Sequence, residues 1–307
     1  MNDPNISLSL RSKPQSNIWR KFYQYRWGYF FILPFLILFA CFEVYPLFYN
    51  LVLSLMKSQG MNTWKFIGLS NYQYLLDDPN FTKSLWNTVY IFIGNVPIMT
   101  LMALIIAWIL NHPGLKFRRV LQTVYLLPYV TASIVVAIVF QILFDSEFGA
   151  INQLLGLFRI PYLPWLISET WSKSAIIILI TWKWLGYNMI LMLAGLQAIS
   201  GEIFESATID GANKRQTFLK IVLPLMRPTI VSCLVMSTIG TFCQLFDEPY
   251  ILTGGGPNFS STPLPMYVYL AAFNYFKFGY ASAIAVILGL LVFGMSYFQL
   301  KVMDREV

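Results

Sequence analysis

The chain has 307 residues, of which 57% are hydrophobic and only 11% are charged, with a net charge of +7 at pH 7. Soluble domains carry about 25% charged residues, so this composition excludes a soluble globular protein and indicates an integral membrane protein. Nucleic-acid binding is also disfavoured, because the basic residues are spread through short segments between apolar runs and are not concentrated on one face.

Residues 1–28 are predicted to form a cytoplasmic tail and the segment that leads into the first membrane span. Residues 1–15 are polar and contain two prolines, a composition that favours disorder. The first apolar run begins near Tyr29 and is long enough to span a membrane. No small-residue cleavage site follows it, so we interpret it as a retained span and not as a cleaved signal peptide.

Six apolar windows are long enough to cross a bilayer as a helix, which requires about 20 residues. The predicted spans are Tyr29–Tyr49, Trp86–Leu110, Leu121–Phe144, Ala175–Ala198, Thr229–Phe246 and Tyr280–Leu300. Residues 247–279 are split by TGGGPNFSSTPLP into pieces too short to span, and a re-entrant segment there stays open. The predicted fold is all-α: a polytopic membrane protein with six transmembrane helices over residues 29–301 and a cytoplasmic tail at residues 302–307.

The basic residues between these windows predict the orientation. If the chain starts in the cytoplasm, the cytoplasmic segments hold fourteen Lys and Arg residues and the opposite segments hold six, while Lys183 lies inside a span. Because Lys and Arg are enriched in cytoplasmic loops, we expect both termini in the cytoplasm.

The stretch ESATIDGANKRQTFLKIVLP, residues 205–224, is charged although it lies between two apolar tracts. Ser200 is a predicted N-cap, and Gly211 can adopt the left-handed conformation that ends a helix. A second helix is expected from about Asn213, which gives a cytoplasmic helix–turn–helix over about residues 199–228. Physical chemistry alone leaves open whether this segment lies on lipid headgroups or docks on another protein.

The same stretch resembles a motif in the inner-membrane permease subunits of binding-protein-dependent ABC importers. Their cytoplasmic loop has the pattern EAA, three residues, G, nine residues, I-x-L-P. At these spacings the chain has Glu205, Ser206, Ala207, Gly211, Ile221, Leu223 and Pro224, with Asp210 directly before the glycine. Ser206 in place of alanine is the one departure, a small-for-small exchange. Further stretches, among them Trp184-Leu185-Gly186-Tyr187-Asn188, are similar to the carbohydrate-uptake branch, with its larger maltose-type subunit and its glycerol-phosphate permeases.

The resemblance implies a transport subunit, and not an enzyme, in the bacterial cytoplasmic (inner) membrane. The expected partners are a second homologous permease subunit, two ABC ATPase subunits, an extracytoplasmic solute-binding protein and membrane lipid. The eight residues of the helix–turn–helix named above, the seven motif positions and Asp210, are then expected to couple the chain to an ATPase. ATP and Mg²⁺ are expected in that ATPase and no cofactor in this chain, which has no GxxxxGK[ST] segment for nucleotide phosphates.

Three polar-aromatic patches inside the predicted spans are candidates for the solute pathway, and by resemblance they correspond to the substrate-contacting regions of the maltose-type subunit. Their residues are Tyr129 and Ser133, which are four apart and share a helix face of the third span; Trp182, Gly186 and Met189, which form one face of the fourth span; and Thr241, Phe242, Gln244 and Leu245 near the outer half of the fifth. Aromatic faces stack on sugar rings, and amides or hydroxyls replace water around sugar hydroxyls. The same residue types also pack between membrane helices, so that structural role is left open.

Lys183 is a charge inside a predicted span, where an ionisable side chain usually faces a cavity or a partner. We expect a structural ion pair with Asp247 or Glu248 and weigh it against an anion-binding role, which a phosphorylated solute would require. The solute stays open between di- or oligosaccharides, sugar-type osmolytes and glycerol phosphates. An ion-coupled secondary transporter is the alternative from another class.

The remaining reactive side chains predict no chemistry of their own. Cys41, Cys233 and Cys243 lie in apolar runs, and His112 is the only histidine, so neither a metal site nor a disulfide framework is expected. No catalytic constellation is predicted.

Overall fold

The computed structural model describes residues 25–58, 64–112 and 114–304. The chain divides into two compact units, Met1–Asn50 and Leu51–Val307. Residues 1–24 of the predicted N-terminal segment 1–28, and residues 305–307 of the predicted C-terminal tail, lie outside the described residues.

One long apolar helix accounts for nearly all of the described part of the first unit. It comprises α1 (Arg26–Phe39), a π-helical segment (Ala40–Val44) and α2 (Tyr45–Ser54), which extends into the second unit. The 29 residues of Arg26–Ser54 are long and apolar enough to cross a membrane. None of the residues in α1 or in the π-helical segment is buried. The predicted span Tyr29–Tyr49 lies inside this helix.

After the end of α2, the second unit continues with a small antiparallel β-hairpin of β1 (Met56–Ser58) and β2 (Trp64–Phe66), in which Met56 pairs with Phe66. The following helix, α3 (Ser70–Asp77), is bonded to the chain before the hairpin and to β1. The side-chain Nδ2 of Asn71 donates to the carbonyls of Ser54 (2.8 Å) and Met56 (2.9 Å). This hairpin was not predicted.

Three long helices of the second unit match predicted spans: α4 (Pro79–Leu110), α8 (Trp171–Gln197) and α15 (Phe278–Asp304). The end of α15 includes residues 302–304, which were assigned to the tail. Helices α4 and α8 pack closely, since a Cβ atom at Gly94 would lie 2.5 Å from Ile177 Cδ1. Small residues commonly permit such close contact between membrane helices.

The predicted third span is not one helix. Instead, α5 (Arg118–Val130) and α6 (Ser133–Leu143) meet at 95°. Thr131 and Ala132 between them have extended ψ angles of 140° and 131°, and the Thr131 hydroxyl donates to the Leu127 carbonyl at 2.9 Å. The prediction of a continuous helix over Leu121–Phe144 was therefore wrong.

The predicted fifth span corresponds to α12 (Arg227–Ile239) and a π-helical segment (Gly240–Gln244). Together they are bent by 65° from the helical segment that precedes them, Lys214–Leu225. Within the described part of the chain, four helices are long and apolar enough to cross a membrane, or up to six spans if each bent pair counts as one. The count of six therefore stays a prediction.

Shorter helices connect these elements. They are α7 (Ala150–Leu157), α9 (Gly201–Ile209), α10 (Lys214–Thr217), a π-helical segment (Phe218–Val222), α11 (Leu223–Leu225), α13 (Asp247–Leu252), α14 (Leu264–Tyr269) and a π-helical segment (Leu270–Asn274). As predicted, the helices within residues 247–279 are too short to span a membrane.

Candidate functional site

A cavity of about 460 Å³ lies inside the second unit, where α4, α5, α6, α8, α12 and α13 approach one another. Its lining combines aromatic rings, amides, hydroxyls and three charged side chains. Small-molecule sites usually occupy about 300–1,000 Å³ and combine apolar walls with a few polar groups, so this cavity has the size and composition of a solute site.

Three aromatic rings form one wall of the cavity. Tyr129 of α5 stacks on Tyr187 of α8, with ring centroids 4.8 Å apart and an interplanar angle of 22°. Trp184 contacts the edge of Tyr129 at 5.2 Å. Tyr187 and Trp184 are three residues apart in α8, so helical periodicity places them on one face. The three rings contact one another and line the cavity beside polar groups.

Amides and hydroxyls line the rest of the cavity. Ser237 of α12 donates to the Asn188 side-chain oxygen at 3.2 Å, and the Asn95 amide donates to Thr181 at 2.8 Å. Gln244, at the end of α12's π-helical extension, is exposed and lines the cavity. These groups offer both donors and acceptors to a polar solute.

The charged part of the lining is an ion pair. Lys183 Nζ lies 2.7 Å from Glu248 Oε1, and the two side chains are only 5% and 6% exposed. Lys183 also donates to the Ser133 hydroxyl at the start of α6. The predicted pairing of Lys183 with Asp247 or Glu248 is confirmed, with Glu248 as the partner; Asp247 lines the cavity and is exposed.

Five of the nine predicted pathway residues line this cavity: Tyr129, Ser133, Thr241, Gln244 and Leu245. Tyr129 and Ser133 were placed on one face of a single helix, but the structure sets them on either side of the α5–α6 bend. Both reach the cavity because the bend occurs at its edge. Their contact with a solute stays a prediction.

The other four predicted residues do not line the cavity, and each has a packing role. Trp182 contacts the ring of Phe140 at 5.2 Å, and Phe242 contacts Phe92 at 5.4 Å. Met189 is fully buried in the core. A Cβ atom at Gly186 would lie 1.8 Å from the Tyr125 carbonyl oxygen, so this glycine lets α5 approach α8.

Sequence reasoning did not propose Asn95, Trp184 and Ser237 as lining residues. Asn95 carried a usable signal, because an amide in the middle of an apolar window usually faces a cavity or another helix. Ser237 carried none, since serine is common at contacts between membrane helices.

The segment around residues 199–228 forms the predicted helix–turn–helix. The Ser200 hydroxyl caps α9, and Gly211 has the left-handed φ of +76° after that helix ends. Asn213 and Gln216 form a reciprocal capping box at the start of α10. These contacts confirm the local conformation predicted for the segment; its side of the membrane and its partner stay predictions.

The eight predicted coupling residues differ in exposure. Glu205, Ser206, Asp210, Gly211, Leu223 and Pro224 are exposed, Ile221 is half-buried, and Ala207 is buried. Ile209, at the end of α9, is 85% exposed. The base of the helix–turn–helix, hereafter the α9–α10 hairpin, contacts α4: the ring centroid of Trp108 lies 5.3 Å from that of Phe218.

Comparison with known proteins places this architecture among transport components. Residues 99–305 match the family model described as binding-protein-dependent transport system inner membrane component. The chain is 40% identical over 278 residues to the lactose transport system permease protein LacF of Rhizobium radiobacter, which covers 89% of this chain and 92% of that protein. It is 36% identical over 260 residues to the sulfoquinovosyl glycerol transport system permease protein SmoG of Agrobacterium fabrum, covering 84% and 83% respectively.

A solved structure shows the same fold at lower sequence similarity. A chain of a bacterial ABC transporter involved in the import of the acidic polysaccharide alginate aligns with a TM-score of 0.82 and 22% identity, covering 94% of this chain and 99% of that one. The family model covers more than half of the chain, and the relatives match most of it. The chain therefore belongs to the family of binding-protein-dependent transport system inner membrane components.

Proposed function

We propose that this chain forms the transmembrane pathway of an ATP-driven importer for an uncharged carbohydrate, a di- or oligosaccharide or a sugar-type osmolyte. Membership of the family supports a transport role in the inner membrane. The observation that carries the choice of solute is the cavity, in which the rings of Tyr129, Trp184 and Tyr187 lie beside amides and hydroxyls.

The chemistry of this cavity suits a sugar. A sugar ring has C–H faces that pack on aromatic rings and hydroxyls that need donors and acceptors in place of water. The volume of about 460 Å³ lies in the range of small-molecule sites. The LacF relative, a lactose transport system permease protein, supports the same class of solute.

The hairpin of α9 and α10 is proposed to couple this pathway to a partner ATPase. Support comes from its exposed residues, including Glu205 and Ile209, and from the positive φ at Gly211, which sets the angle between the two helices. ATP-driven closure of the ATPase subunits would move the hairpins together and open the pathway outward, and hydrolysis would reset it. This proposal places the hairpin and both termini in the cytoplasm.

The proposed assembly contains this chain, a second homologous permease subunit, two ABC ATPase subunits and an extracytoplasmic solute-binding protein, surrounded by lipid. The periplasmic protein in a structure of the alginate ABC transporter complex supports the last of these partners. ATP and Mg²⁺ are assigned to the ATPase subunits, and no cofactor to this chain.

Replacement of Tyr129 by alanine tests the role of the cavity. Tyr129→Ala removes the ring that contacts both Trp184 and Tyr187, so we expect uptake of radiolabelled lactose by proteoliposomes containing the complete complex to fall at least tenfold. Tyr297→Ala, which removes an exposed ring in α15, is the matched control and should retain uptake. Equal uptake by both variants would contradict the assignment of the cavity to the solute.

A further inference from the structure

The Lys183–Glu248 pair joins three elements at the wall of the cavity. Lys183 projects from the middle of α8, Glu248 lies in the first turn of the short helix α13, and Ser133 begins α6. Both charges are almost completely buried, with the ammonium 2.7 Å from one carboxylate oxygen. Burial of two charges is costly, and loss of one partner leaves the other uncompensated in a medium of low dielectric constant.

The pair is also part of the cavity lining and is not enclosed behind it. Among the described residues that line the cavity, Lys183 is the only cation, whereas Asp247 and Glu248 are both acids. The Lys183 ammonium already contacts Glu248 and Ser133, and it lies 5.8 Å from the Trp184 ring. The only positive charge beside the aromatic wall is therefore neutralised, and the wall also carries an exposed carboxylate.

A purely structural role predicts a different arrangement. A pair that only holds helices together needs no access to the solute, and an apolar pair of similar volume can replace it without loss of stability. Here the charges lie beside Tyr129, Trp184 and Tyr187, where a solute that stacks on these rings is within Coulombic range of both.

We infer that Glu248 is a specificity-determining residue: by neutralising Lys183, it keeps the cavity selective for uncharged solutes and excludes anionic ones. This inference rests on the proposed function, because it names the charge class of the solute at the same site. The names of the relatives include an uncharged sugar, lactose, and a sulfonated one, sulfoquinovosyl glycerol, so solute charge is a property on which members of the family differ.

Glu248→Gln should convert the cavity into an anion site. The substitution preserves the shape of the side chain but frees the Lys183 ammonium. We expect glycerol 3-phosphate, which is small enough for the cavity, to bind the purified complex at least tenfold more tightly than it binds the wild type, by equilibrium dialysis in detergent.

Asp247→Asn is the matched control. It changes the cavity charge by the same amount at the adjacent residue but leaves the ion pair intact, so glycerol 3-phosphate binding should change less than threefold. Lys183→Met combined with Glu248→Gln removes the freed cation and should restore exclusion. Equal gains for Asp247→Asn and Glu248→Gln, or no gain for Glu248→Gln in an assembled complex, would overturn the inference.

Two further measurements distinguish a failure of this inference from misfolding of a variant and from a failure of the proposed function. Size-exclusion chromatography reports whether each complex assembles. If Glu248→Gln does not assemble, Glu248→Asp, which retracts the carboxylate by one methylene, should give an intermediate gain, and no gain there would overturn the inference. Lactose binding to the wild type tests the proposed function separately, because the inference is judged by glycerol 3-phosphate alone.

Discussion

Asp78 shows how one side chain can hold several elements of this fold together. One carboxylate oxygen caps α4 by accepting from the Asn80 backbone N–H at 2.9 Å, and the other accepts from the hydroxyls of Tyr267 in α14 and Tyr280 in α15. Burial raises the pKa of Asp78, but the hydrogen bonds from both tyrosines and from the backbone outweigh it, so its pKa lies below the usual 3.8. The ionised carboxylate is therefore the form that stabilises the fold.

Asp78→Asn tests this role. Asparagine caps helices about as well as aspartate, so the loss falls on the two tyrosine contacts, and hydrogen bonds to a charged group contribute about 1.5–3 kcal/mol. We expect a lower thermal midpoint of the purified protein at neutral pH, measured by intrinsic fluorescence. Asp77→Asn, at the exposed neighbouring position, should leave the midpoint unchanged.

The pH dependence of this difference follows from the lowered pKa. A carboxyl group whose pKa is lower in the folded state stabilises fully above its unfolded pKa and loses that contribution as the pH falls through its folded pKa. The difference between wild type and Asp78→Asn should be constant from pH 5 to pH 8, at which the unfolded-state carboxyl is also ionised, and shrink below about pH 4. A difference that grows on acidification would contradict the assignment.

At the scale of elements, apolar windows were sufficient to locate the long helices but not the bend between α5 and α6. A window average responds to hydrophobicity, and both halves of Leu121–Phe144 are apolar. The bend arises from extended backbone at Thr131 and Ala132, which composition does not encode. Pro128 was the one local indication, because proline interrupts helical hydrogen bonding.

Site residues were predictable only in part for a related reason. Spacing along one helix assigned Gly186 and Met189 to the same face as Trp182, but which face is packed depends on the partner helices. Gly186 meets the backbone of α5, and Met189 is buried in the core. Lys183 was easier to predict, because a charge inside a membrane span requires a partner.

The hairpin turn carries the prediction that belongs to this scale. Gly211 has φ +76° with open space around its Cβ position, so Gly211→Val is opposed by backbone strain alone. We expect the variant to insert and assemble normally but to lose ATP-dependent uptake while its ATPase activity no longer responds to substrate. Gly201→Val, in the same hairpin without a positive φ and also with open space, should retain coupling. Normal substrate-stimulated ATPase activity in Gly211→Val would count against the coupling role.

At the scale of the whole chain, the second unit combines a cavity within the helical bundle and an exposed hairpin that follows a cavity-lining helix in the sequence. Helix α8 lines the cavity and leads directly into the segment that begins α9, and Trp108 of α4 holds the base of the hairpin against Phe218. In the proposed alternating access, movement of the hairpin by a partner ATPase would reach the cavity wall through this link in the chain and through the Trp108 contact.

The energy source separates this account from an ion-coupled transporter. The complex purified from native membranes, reconstituted into proteoliposomes and supplied with its binding protein and the sugar which that protein binds, should accumulate the sugar with no ion gradient when ATP and Mg²⁺ are present on the side of the membrane where the hairpin lies. Uptake that follows a proton or sodium gradient and is indifferent to ATP would contradict the account.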